Sequence, residues 1–171
     1  MKQLRIALGA QLLFFAAWGA YLLSSRNTAS PEFYLETVPV DPRDPISGTY
    51  VALDYAISRP QAGECAEILN SAVSFYVKLD NTGKTAQTAA GPVPVYEAVD
   101  CARDTRRQEG WARAGIQSVF GGYTAKYGIE RFFLNENDPR KDARSGSVLA
   151  KVKIDGNQQL VLLDLVLRTP Q

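Results

Sequence analysis

An uncharged apolar run, IALGAQLLFFAAWGAYLL at residues 6–23, constrains this chain more than any other stretch. It has no polar face, so a water-soluble fold would have to cover it on every side. As a helix it spans about 27 Å, close to the hydrocarbon thickness of a bilayer. Trp18 and Tyr21 lie towards its C-terminal end, where aromatic rings favour the membrane interface. Lys2, Arg5 and the amino group of Met1 precede it, and only Arg26 follows closely. The positive-inside rule then puts the N-terminus in the cytoplasm and the rest of the chain outside. A cleaved signal peptide is the competing reading, with Thr28-Ala29-Ser30 as the nearest cleavage site. The long apolar region, and Pro31 directly after that site, favour a retained anchor. The expected organisation is a cytoplasmic N-terminus at 1–5, a spanning helix at 6–23, a polar stalk at 24–37 and an extracytoplasmic domain at 38–171. The expected location is the inner (cytoplasmic) membrane, with the C-terminal domain in the periplasm or outside the cell.

The chain has 171 residues, room for one ordinary domain beyond that helix. Its net charge is +1, which leaves no basic excess for nucleic acid. It contains no histidine. That removes Ser-His-Asp and Cys-His catalysis, histidine-ligated zinc and histidine pH switching together. No metal or cofactor is expected. The two cysteines, Cys65 and Cys101, are expected to form a disulfide in an oxidising compartment.

Beyond residue 38 the pattern has period two with frequent turn signals. Strands are expected at 49–58, 73–79, 84–90, 95–100, 111–120, 129–134, 148–154 and 160–167. Asp155-Gly156-Asn157 is the strongest hairpin signal. A short helix fits 61–72 and a helical turn fits 136–143. Many short antiparallel strands imply a mainly β fold, a small barrel or sandwich.

Two segments resemble a known family. VPVDPRDPISGTYVALDY, residues 38–55, is similar to the signature of the GDYXXLXY domain, a bacterial membrane-associated family without an assigned activity. The matching positions are Gly48, Tyr50, Leu53 and Tyr55, preceded by Pro39, Asp41, Pro42, Arg43 and Asp44. YGIERFFLNEN, residues 127–137, resembles a second family motif through Tyr127, Gly128, Glu130, Arg131, Phe132 and Glu136. Thr49, Asn135 and Asn137 depart from the pattern. The resemblance implies a single-pass protein with an extracytoplasmic domain and a polytopic membrane protein as neighbour. It supplies no reaction.

The candidate binding residues are therefore Arg43, Asp44, Tyr50, Asp54, Tyr127, Glu130, Arg131 and Glu136, with Gly48, Leu53 and Tyr55 as structural motif. Alternation over 49–58 puts Val51, Leu53, Tyr55 and Ile57 on the core face and Tyr50, Ala52, Asp54 and Ala56 on the other. Along 129–134 both faces mix charge and apolar groups, so Arg131 with Asp44, or Arg43 with Glu130, are candidate internal pairs. The leading functional expectation is a non-enzymatic binding or assembly module for a membrane or envelope partner. The alternative is an envelope enzyme or small-ligand sensor, in which Tyr50, Glu130, Arg131 and Glu136 converge on one pocket. A Ser–Lys dyad drawn from Ser47, Ser58 or Ser71 and Lys78, Lys126 or Lys151 lacks a recognisable nucleophile motif.

Overall fold

The computed structural model describes residues 2–26, 30–39, 50–104, 109–133, 138, 140 and 146–169. The first segment is a single helix, α1 (Lys2–Arg26). Within it Arg5–Ser24 is long and apolar enough to cross a membrane, and none of that window is buried inside the fold. Leu13, Phe14 and Leu23 stand exposed, as side chains facing lipid would.

The remainder is mainly β. In chain order the strands are β1 (Phe33–Val38), β2 (Tyr50–Ala52), β3 (Asp54–Tyr55), β4 (Ser74–Asp80), β5 (Thr85–Thr88) and β6 (Gly91–Ala102). They continue as β7 (Trp111–Val119), β8 (Gly122–Lys126), β9 (Arg131–Phe133), β10 (Val148–Ile154) and β11 (Leu160–Leu167). A 3-10 turn occupies Ala56–Ser58, and α2 is Cys65–Leu69. The main sheet has nine strands along the path β11-β10-β1-β6-β4-β7-β8, with β3 added to β1 and β5 to β6. β1 and β6 are parallel, whereas the other neighbours are antiparallel. β2 and β9 form a separate two-stranded ribbon.

The sheet curls into a half-barrel. The β10–β11 turn reaches across to β7, where the Arg113 amide donates to the Gln158 carbonyl at 2.7 Å. Gln158 takes a left-handed φ of 61° to present that carbonyl, a strained conformation for a residue with a Cβ. The core lies inside the curl. Phe33, Leu35, Phe75, Val77, Val148 and Val152 from the sheet meet Val51, Leu53, Tyr55, Ile57 and Ile68 from the elements that cover it. A smaller cluster of Ala86, Val95 and Leu149 fills the opposite face beneath β5. Cys65 on α2 is bonded to Cys101 on β6, with their Cα atoms 5.0 Å apart.

One expected boundary fails. Phe33–Thr37, expected as the end of the polar stalk at 24–37, lies in strand β1, paired on one side with β10 and on the other with β6. Phe33, Leu35 and Thr37 alternate into the core, and the buried Thr37 hydroxyl donates to the Val148 carbonyl at 2.5 Å. Only the outward half, Tyr34 and Glu36, looked like a stalk. The expected strand at 49–58 is interrupted into β2, β3 and the 3-10 turn. β8 falls between the strands expected at 111–120 and 129–134, and Thr124 and Ala125 are buried in it.

Strand β6 starts earlier than expected and contains Pro92 and Pro94. Val95 donates its amide to Lys84 on the β5 side at 2.9 Å. Alternation turns the nitrogens of 92 and 94 the other way, where β1 has not yet begun to pair, so their missing N–H groups cost no ladder bond. β11 is the outer edge. Its pairing jumps from Lys151↔Asp164 to Val152↔Leu162, which leaves Leu163 as a bulge. Arg140 binds the Asp164 carboxylate and the Leu165 carbonyl there. A bulge and a cation on an apolar edge strand both discourage pairing with another chain. The helical turn expected at 136–143 lies largely outside the described residues.

Candidate functional site

The segments around β2–β3 and β9 are distant in sequence, yet they are fastened by a reciprocal pair of tyrosines. The Tyr55 hydroxyl donates to the Ile129 carbonyl at 2.6 Å. The Tyr127 hydroxyl donates back to the Ile57 carbonyl at 2.8 Å. Between them the Leu53 amide donates to the Glu130 carbonyl at 2.9 Å. Burial raises both phenols far above their ordinary value, and the neighbouring Glu130 carboxylate adds to it, joined at Tyr55 by Asp54. Both hydroxyls therefore stay protonated and act as donors.

The loop that makes this possible is local. Gly128 sits at φ +81°, a conformation that glycine adopts freely. This turn lets the Glu130 carboxylate accept the Tyr127 amide at 2.7 Å. The Glu130 side chain is thus committed to its own loop. Ile129 enters the core beside Tyr127.

Tyr50, Arg131 and Phe133 do something different. The register Tyr50↔Phe133 and Ala52↔Arg131 puts all three on the outer face of the β2–β9 ribbon, with Val51 and Phe132 facing in. The Arg131 guanidinium lies over the Tyr50 ring, 5.0 Å from its centroid, and the Phe133 ring is 5.7 Å from it. Phe133 remains 69% exposed. Nothing in the core needs these three groups. Asp54 also faces outward and pairs with Arg59 at 3.9 Å.

A family model described as GDYXXLXY protein matches residues 12–165. The chain belongs to the GDYXXLXY family. No curated protein and no solved structure matches it.

The GDYXXLXY signature divides into two physical roles here. Leu53, Tyr55, Tyr127, Gly128 and Glu130 close the clamp. Tyr50 and Arg131 form an exposed aromatic–cation patch, to which Phe133 is added. Arg43, Asp44, Gly48 and Glu136 lie outside the described residues, as do the expected pairs of Arg43 with Glu130 and Arg131 with Asp44. Tyr50, Glu130 and Arg131 do not converge on one pocket. Glu130 turns to the Tyr127 amide, while Tyr50 and Arg131 turn outward. Sequence reasoning missed Phe133 as the third member of the patch, although alternation along 129–134 puts it on the face of Arg131.

The serines considered for a dyad are also placed. Ser58 is fully buried, and its hydroxyl has no partner among the described residues. Ser71 donates to the Glu67 carbonyl and accepts from Arg103. Ser47 lies outside the described residues.

Away from the clamp, charges concentrate around β1. Lys84 bridges Glu36 at 2.6 Å and Glu97 at 3.0 Å, and Arg168 reaches Glu36 at 2.8 Å. Partial burial pushes the Glu36 carboxyl up, but Lys84 and Arg168 together outweigh it and hold the group below its ordinary value. At the end of the half-barrel where the chain arrives from α1, a cleft of about 1340 Å³ opens between β4, β6, β7 and the β10–β11 turn, with Tyr21 of α1, Ser30 and Pro31 also on its wall. The clamp lies at the other end, since β3 pairs with the C-terminal residues Thr37 and Val38 of β1. No stretch of sequence announces the cleft, because its walls come from strands far apart in the chain.

Proposed function

We propose that this protein is a membrane-anchored docking module, held by α1 with its β domain on the extracytoplasmic side. The domain engages an integral membrane or envelope partner through the Tyr50–Arg131–Phe133 patch. The observation that carries this reading is the division of the family signature. One half is consumed by the clamp, whereas Tyr50 and Arg131 stack on the outer face of the β2–β9 ribbon, outside the core cluster. Tyr and Arg are the residue types most enriched among interface hot spots, and an adjacent exposed aromatic completes such a cluster. A guanidinium stacked on a ring is also prepositioned, so little side-chain entropy is lost on docking. The charges flanking the helix support this orientation, and a disulfide between Cys65 and Cys101 suits an oxidising compartment.

The test is crosslinking and co-purification of the full chain from detergent-solubilised membranes. Wild type is expected to retain a discrete membrane or envelope partner. Tyr50→Ala and Arg131→Ala are expected to lose it while the melting temperature stays within a few degrees of wild type. A chain that emerges alone under gentle solubilisation, or variants that keep the same partner at full yield, would refute the reading.

A further inference from the structure

We infer that the anchor-proximal cleft is a saccharide-binding site, independent of the patch proposed for docking. Its volume, about 1340 Å³, exceeds what one compact ligand fills and suits several sugar units. Tyr76, Tyr96 and Trp111 line it. The Tyr96 ring is fixed against Phe33 with centroids 4.8 Å apart. Tyr76 and Tyr96 are half-buried and offer flat apolar surfaces, to which pyranose rings present C–H faces of matching shape, while Trp111, 6% exposed, backs the cleft from behind.

The charged groups point the same way. Lys78 and Arg113 also line the cleft, and neither has an ion-pair partner among the described residues. The register Lys78↔Trp111 and Tyr76↔Arg113 sets them as diagonal neighbours, about 7–8 Å apart at the backbone. Below them lie Asp80, Glu109 and Asp155. Among the described residues, Asp80 uses only Oδ1 to accept the Asn81 amide, and Asp155 only Oδ1 for the Asn157 and Gln159 amides. Each keeps a second oxygen for a ligand. Two cations among three carboxylates make a poor anion site. They make a good polyol site, because each sugar hydroxyl both donates and accepts. An added peptide strand is disfavoured: the β7 amide it would need, at Arg113, is already taken by the Gln158 carbonyl.

Full-length protein carrying Trp18→Phe leaves Trp111 as the sole indole, and its emission reports on the cleft directly. Titration in detergent with chitotetraose, cellotetraose and maltotetraose is expected to give a saturable change with at least one of them. Arg113→Gln and Tyr76→Ala are each expected to weaken it about tenfold, the loss of roughly one good contact. Dihexanoyl phosphatidylglycerol is the contrasting probe. Saturation by this lipid and by no sugar would overturn the proposal, as would a flat response to all four. Sugar binding that both variants leave unchanged would overturn it too. Because Tyr50 and Arg131 lie at the other end of the fold, Tyr50→Ala must leave sugar binding intact. The two proposals therefore fail separately.

Discussion

Replacing Tyr55 or Tyr127 with Phe deletes one hydroxyl from the clamp and changes almost nothing else. Each hydroxyl is buried and reaches a carbonyl 74 or 70 residues away in sequence, at 2.6 and 2.8 Å. Phe preserves the ring and its packing but leaves the Ile129 or Ile57 carbonyl without this donor. A buried acceptor stranded in that way costs about 1–3 kcal/mol. For a domain of this size that lowers Tm by roughly 3–8 °C. The two bonds fasten the same pair of segments, so once one is gone the second holds a looser junction. The double variant is then expected to depart from additivity by about 0.5 kcal/mol or more. Urea unfolding of the full chain in detergent, followed by near-UV circular dichroism, measures all four corners of the cycle. Tyr50→Phe is the control, expected within about 0.5 kcal/mol of wild type because that ring lies on the surface. Single Phe variants at 55 and 127 that match this control, with an additive double variant, would refute the clamp.

Reducing the Cys65–Cys101 bond releases a loop with a sequence separation of 36. Chain entropy then predicts a loss of about 3–4 kcal/mol, a Tm fall on the order of 10 °C, read by differential scanning with and without reductant. Ser58→Ala removes a buried hydroxyl that has no partner among the described residues, and is expected to be neutral or to stabilise by up to about 1 kcal/mol; a loss of more than that would show the hydroxyl to be satisfied. Glu36 titrates below its ordinary 4.5, so its ion pairs stabilise the fold fully above that pH and lose their effect as the pH falls through the lowered value. Glu36→Gln should flatten that acid limb in a plot of urea midpoint against pH, and an unchanged limb would assign the acid dependence elsewhere.

The sequence was most legible where one face of a strand is apolar and the turn is chemically explicit. β10 and β11 begin and end where expected, because Asp155 caps its own turn through the Asn157 and Gln159 amides. Side-chain parity over 49–58 also held: Val51, Leu53, Tyr55 and Ile57 are all buried, although the strand itself breaks. Parity survives because inward packing, not ladder pairing, decides which side chains turn in. β1 was hidden by its outward residues, since a central strand with Tyr34 and Glu36 on one face resembles a linker when it follows an anchor. The clamp was hidden for another reason. A hydroxyl that meets a carbonyl 70 residues away leaves no local pattern. The mixed faces of Ile129–Leu134 did signal that something there was paired. Among the described residues, the Glu130 carboxylate meets the backbone amide of Tyr127.

The placement of β1 has a mechanical consequence. This strand begins at Phe33, a few residues after the helix ends at Arg26, so with α1 held in a bilayer as proposed, any tug between membrane and domain would enter the fold along β1. It is bonded on both flanks, by bonds nearly perpendicular to its axis towards antiparallel β10 and slanted ones towards parallel β6. A pull along the strand therefore loads those bonds together, in shear, instead of peeling them one after another. Had the anchor led into β11, at the rim of the sheet, the same force would have unzipped the domain from its edge. Under the proposed anchoring, tethering through an interior strand would let a domain of modest size bear strain between a membrane and a docked partner.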